Sequence, residues 1–315
     1  MMTRLAVSRR FFCSNPGQKI FVTRTDREPK PVTATYPASD PQSPPMLATP
    51  LSESPKSFPK AVYKTDQQKA MLDLNKCHVT TLKNGLKVAS QRMFGQFCTV
   101  GVIVDAGSRH EVDYTSGICH MLEKLAFQGT TKFKNRDAVL VELEKVGGIC
   151  DAQTSRDVTI YGTSADYRGV ETAVDVLSDC ILRPLVNDSE LMTARGAIAA
   201  ELETLDMSPT HDVKMAEWAH QAAYNSNTLG LPKLCPEEHL AKIGRNSLLK
   251  YMATYYRPDR MVLCGVGVEH EKLVDLAEKY FVEKEPSWKG VKPGTIDQSV
   301  AQYTGGFKKV CFSRR

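Results

Sequence analysis

Residues 119–127, C-H-M-L-E-K-L-A-F, set His120, Glu123 and Lys124 at a spacing that carries metal chemistry. On a helix, positions i and i+4 lie one turn apart on the same face. Imidazoles at 120 and 124 would grip one divalent ion. Glu123 beside them would act as base for a metal-bound water, the logic of the inverted zinc motif H-x-x-E-H. Position 124, however, is lysine. An ammonium has three donors and no lone pair. A +1 charge about 4 Å from a +2 ion costs roughly 8 kcal/mol at an effective dielectric of 20. Complete structural zinc sites gain only about 10–16 kcal/mol, so one lost ligand plus that repulsion leaves little net affinity. Only a large downward pKa shift at Lys124 would restore it.

The elements around this stretch follow from pattern. "VTTLKNGLKVASQ" is two alternating runs about Asn84-Gly85, the signal of a type I′ hairpin. "FCTVGVIVDAG" (97–107) is apolar on both faces, which predicts a central strand. A helix is expected over 116–127. A second should start after Asn135 as N-cap and stop at Gly147-Gly148. "ICDAQTS" and "DVTIYGTSA" read as a strand pair. "YRGVETAVDVLSDCILRP" places Val170, Ala173, Val174, Leu177 and Ile181 at helical spacing and ends before Pro184. Helices over about 187–206 and 210–224, a buried strand "RMVLCGVGV" and a closing helix "EHEKLVDLAEKYF" complete the unit. The sum is α+β: a largely antiparallel sheet covered by helices on one side.

Composition narrows the function. The chain has 315 residues, 42% hydrophobic and 24% charged, which is enough apolar material for a core. No run approaches the ~18 apolar residues of a membrane-spanning helix. Residues 1–30 carry seven cations against Asp26 and Glu28, which accounts for the entire net charge of +5. The rest is neutral in bulk and offers no nucleic-acid footprint. Nine cysteines without a C-x-x-C pair read as thiols in a reducing compartment.

Residues 1–27 are Arg-rich, amphipathic and free of acid before Asp26, which predicts a mitochondrial transit peptide. From 28 to 74 a disordered linker is expected, since nine of the 17 prolines fall between Pro29 and Pro59. The folded domain is placed at 75–285, with a linker start and divergent tail over 286–315. "CGVGV" lacks the third glycine of a dinucleotide site. His211, Trp218 and His220 read as helix packing. Glu201, Glu203 and Asp206 read as a solvated acidic face.

Longer stretches carry a resemblance. "GSRHEVDYTSGICHMLEKLAFQGTTKF" (107–133), "GGICDAQTSRDVTIYG" (147–162), "NTLGLPKLCP" (227–236) and "YYRPDRMVLCGVGVEHEKLVDLAEKYF" (255–281) resemble the pitrilysin-type (inverzincin) peptidases. Most specifically they resemble the family's α-type subunits, which carry H-x-x-E-K with L-A-F after it. The resemblance implies a pitrilysin-type α+β domain and places the family's third metal ligand at Glu201. The relic site is then His120, Glu123, Lys124 and Glu201, with no catalytic residue, metal or cofactor in this chain. Lys124 would take the electrostatic place of the ion between two carboxylates. The resemblance further implies a matrix subunit, paired with a β subunit that bears the intact motif and the zinc, helping to hold basic presequence peptides. Members carry two such domains, so a chain truncated to the first half, without the second domain's glycine-rich loop, is expected. A structural core subunit of the respiratory ubiquinol–cytochrome c reductase, an active peptidase with an unusual ligand set, and a non-functional fragment stand as alternatives.

Overall fold

Alternation along the strands decides which face of the sheet is covered. In β3 (Phe97–Val104) Cys98, Val100, Val102 and Val104 are buried, while Phe97 and Thr99 on the other face are exposed. In β5 (Thr159–Asp166) Thr159, Tyr161, Thr163 and Ala165 point the same way into the core. These strands belong to a computed structural model that describes residues 76–309 apart from Ser226. The transit peptide expected over 1–27 and the proline-rich linker over 28–74 lie outside the described residues.

With β1 (Cys77–Thr81), β2 (Lys87–Gln91), β4 (Ile149–Thr154) and β6 (Met261–Val266), these strands form one six-stranded sheet in the order β1-β2-β6-β3-β5-β4. Every neighbouring pair is antiparallel except β2–β6, which is parallel. The largely antiparallel α+β sheet is therefore present. The central strand expected at 97–107 is present as β3. β3 is central by pairing, held by β6 and β5, but only one face is covered. Pairing on both edges satisfies the backbone whatever covers the faces, so apolar residues on both sides of a strand do not by themselves require two covering layers.

The covering helices are α1 (Ile118–Lys124), α2 (Arg136–Glu144), α3 (Val170–Leu182), α4 (Asp188–Met207), α5 (Asp212–Tyr224), α6 (Arg245–Tyr255) and α7 (His270–Ala277), which runs into a π turn over Glu278–Val282. α3 buries Val170, Ala173, Val174, Leu177 and Ile181 against β3 and β5. Asn135 caps α2 by accepting from the Ala138 N–H at 3.0 Å. α6 escaped the sequence reading. Its first turn is Arg-Asn-Ser, and two of its six buried residues are tyrosine. The spacing of Leu248, Leu249, Met252 and Tyr255, all buried, was the available signal. The core also reaches Trp288, beyond residue 285, whose ring lies edge-on to Tyr256 at 6.0 Å.

Two glycines with positive φ set local geometry. At the hairpin the Gly85 N–H donates to the Leu82 carbonyl at 3.0 Å, which makes Lys83 and Asn84 the centre of the turn. Only Gly85 of the loop has positive φ, +94°. The loop is thus a three-residue one with glycine in the left-handed position, not the type I′ turn expected from Asn-Gly. The strand pair holds either way, because both loops close the same alternating runs. Gly117 at φ +103° starts α1 and shortens it from the expected 116–127. A Cβ there would lie 2.7 Å from the Cα of Cys235, whereas one at Gly85 meets nothing closer than 3.3 Å. Gly117→Ala is expected to lose about 2–4 kcal/mol by urea unfolding, from left-handed strain plus overpacking. Gly85→Ala, with the strain but little of the clash, should lose about 1–2 kcal/mol.

Candidate functional site

The site hangs on α1, and a buried carboxylate fixes where α1 begins. Glu111 is 2% exposed. Its two oxygens accept from the N–H groups of Gly117 (2.7 Å) and Cys119 (2.8 Å), donors that the first turn of a helix leaves unpaired. Burial pushes the Glu111 carboxyl up to about 7, against the pull of those N–H groups. Ile118, Cys119, Met121 and Leu122 pin the apolar side of α1. The Cys119 thiol donates to the Tyr251 hydroxyl at 3.1 Å, and that hydroxyl donates to the Gly107 carbonyl at 3.2 Å. Tyr251 stands on α6, so the helix missed in the sequence is one wall of the site. Glu111 was missed too. Its only signal was an acid shortly before Gly117, with Asp113 beside it in sequence.

The structure brings His120, Glu123, Lys124 and Glu201 together. Lys124 Nζ lies 2.7 Å from Glu201 Oε2 and 3.1 Å from Glu123 Oε1. His120, 3% exposed, sets its Nε2 3.2 Å from the same Glu201 oxygen. The second Glu123 oxygen accepts from the Thr154 N–H at 2.7 Å, which ties α1 to the end of β4. α4 delivers Glu201 from its exposed half, anchored through the buried Leu191, Ala194 and Ile198. A capping box between Asn187 and Glu190 starts that helix.

Burial opposes the Lys124 charge, but hydrogen bonds to Glu201 and Glu123 outweigh it and raise the ammonium pKa above its ordinary 10.5. Burial likewise opposes the Glu201 charge. The Lys124 hydrogen bond and the nearby His120 overcome it and hold the carboxyl below its ordinary 4.5. Burial lowers His120, over the opposing pull of Glu201 and Glu123. Lys124 therefore contributes stability that is complete below the ordinary lysine range and lost as pH rises through its raised pKa. Glu201 contributes stability present above the ordinary glutamate range and lost as pH falls through its depressed pKa.

The other candidates disperse. Asp206 pairs with Lys214, Glu203 is exposed, and Glu201 belongs to Lys124, so the three acids make no common site. His220 caps back onto the Ala216 carbonyl at 2.9 Å and stacks beside Tyr224. The one buried residue of α5 is Glu217, which takes Arg156 Nη2 at 2.8 Å and the Lys233 N–H at 2.9 Å. The packing of α5 thus includes a buried ionic contact at Glu217 beside the His220–Tyr224 stack. The glycines of "CGVGV" serve packing and turning. A Cβ at Gly265 would meet Leu273 of α7 at 2.6 Å, and Gly267 has φ +78°.

Comparison with known proteins matches two models of one family. The model described as "Insulinase (Peptidase family M16)" covers residues 87–237, and "Peptidase M16 inactive domain" covers 242–311. The chain belongs to the M16 peptidase family. It is 50% identical over 261 residues to the human mitochondrial-processing peptidase subunit alpha, a match covering 83% of this chain and 49% of that protein. It is 40% identical over 223 residues to the Neurospora crassa mitochondrial-processing peptidase subunit beta, covering 70% of this chain and 46% of that one. The chain thus spans about half the length of the curated relatives it matches. A protease from Helicobacter pylori shares the fold, with TM-score 0.64 at 24% identity over 73% of this chain and 55% of that one.

The inverted motif of this family implies zinc, and the residues here do not fit it. The side chain that should offer the second imidazole offers an ammonium bonded to Glu201, and its neighbours strengthen that charge instead of removing it. Among the described residues no group of three His, Cys, Asp or Glu side chains has metal-holding geometry.

Lys124→Ala leaves two carboxylates facing each other. It is expected to lose about 1.5–3 kcal/mol at pH 7, less than a fully buried pair because Lys124 and Glu201 are partly exposed. In the Lys124→Ala/Glu201→Ala double variant part of that loss should return, with a coupling of about 1 kcal/mol or more in urea unfolding. The Lys124→Ala penalty should also shrink as pH falls through the Glu201 pKa. Simple additivity would mean that the pair does not interact.

Proposed function

We propose that this chain acts as the non-catalytic α subunit of a mitochondrial processing peptidase and performs no hydrolysis itself. The observation that carries the reading is the Lys124 ammonium, seated between Glu123 and Glu201 where the motif requires an imidazole. The mammalian α subunits, at 47–50% identity, stand above the two β subunits at 36–40% and support the same assignment, whereas the Caenorhabditis elegans and Neurospora crassa α subunits, at 35% and 38%, do not separate from them. Cleavage then falls to a mitochondrial processing peptidase β subunit with an intact motif, which is where zinc is expected. This chain would help to hold basic presequence peptides of imported precursors. The mitochondrial matrix is the compartment this role requires. The seven described cysteines are all free, in keeping with a reducing environment. No helix among the described residues is long and apolar enough to cross a membrane.

A pulldown of the full chain from mitochondria, read by mass spectrometry, is expected to recover a β subunit in preference to cytochromes. The purified chain should bind no stoichiometric zinc and should leave a basic presequence peptide uncut. Addition of the β subunit should produce cutting. Turnover with bound zinc in the absence of a partner would sink the proposal, and co-recovery of cytochromes would favour a respiratory core subunit.

A further inference from the structure

Cys235, wholly buried, directs its backbone N–H at Nδ1 of His120 at 3.1 Å. A backbone N–H can only donate. Nδ1 must therefore present its lone pair, and the single proton of the neutral ring must sit on Nε2. From there it donates to Glu201 Oε2 at 3.2 Å. We infer that this chain carries a second lock against zinc, independent of Lys124: the Cys235 N–H holds His120 in the tautomer whose site-facing nitrogen has no lone pair. The lock stands whether or not the chain takes part in presequence removal, because it concerns only what these side chains can ligate.

A metal on Nε2 would force the ring proton onto Nδ1 and set two N–H groups against each other across 3.1 Å. Rotating the ring by half a turn does not help. It turns a C–H toward Cys235 and leaves a buried N–H unpaired. Nor is the Cys235 loop free to withdraw. Its Cα lies so close to Gly117 that even a methyl group there would overlap it. Upstream, the Lys233 N–H is held by Glu217, which Arg156 grips in turn. Downstream, His239 Nδ1 donates to the Ser116 carbonyl at 3.0 Å. The loop is tied to α5 on one side and to the approach to α1 on the other. Returning histidine to position 124 would therefore supply one ligand while His120 still withheld the other.

The tautomer can be measured directly. Long-range 1H–15N correlation on the labelled full chain, with the His120 ring assigned by its loss in His120→Gln, should show a protonated Nε2 and a bare Nδ1 at pH 7. A proton on Nδ1, or an imidazolium, would overturn the inference. Zinc affinity by chelator competition supplies a second test. Lys124→His should bind zinc about a hundredfold more weakly than Lys124→His/Cys235→Pro, whose proline has no N–H to donate. Lys124→His/Cys235→Ala keeps the N–H and should match the single variant. Equal affinity with and without the N–H, in variants shown to be folded by circular dichroism, would also overturn it. Should the proline variant fail to fold, the wild-type ring measurement decides alone.

Discussion

A lysine ammonium between two carboxylates organises the centre of this molecule. Glu123 and Glu201 come from different helices and meet at Lys124 Nζ, at 3.1 and 2.7 Å. Without a cation between them, two carboxylates at that separation would repel, and one would have to take up a proton. The cation must be permanent for α1 and α4 to stay together across the physiological range. An ammonium whose pKa is raised by its own partners meets that condition. A metal ion would meet it too, but the ammonium at position 124 has no lone pair to offer one. In this chain the two acids are held by a hydrogen-bonded amine.

What lets the amine sit there is the rigidity of α1. The helix is seven residues long and could not hold a direction alone. Its start is fixed by the Glu111 carboxylate, its apolar side by the sheet, and its Cys119 by Tyr251 on α6. The Cys235 loop closes the remaining side through His120 and through its close contact with Gly117. Much of the polar network around the motif is therefore structural. It fixes the direction of α1 and with it the place of Lys124 between the two acids.

Most elements were legible in the sequence because their signals are local. Asn135 caps α2 by the hydrogen bond expected of it, and the apolar spacing of residues 170–181 reappears as the buried stripe of α3. The misreadings share one cause. The form of the hairpin depends on whether one residue or two take positive φ, which the letters Asn-Gly do not decide. The burial of α6 comes from tyrosines that reach partners more than a hundred residues away.

The sequence by itself determined that a cation replaces a ligand, since the identity of residue 124 requires no geometry. It also pointed to Glu201, through resemblance to the family and not through any local pattern. Only the tertiary structure decided that one oxygen of Glu201 faces both Lys124 and His120, because that contact joins α1 to α4 across some eighty residues of chain. The tautomer of His120 lies furthest from the letters. It is set by a main-chain N–H, a group that every residue but proline has, so no side-chain type could announce it.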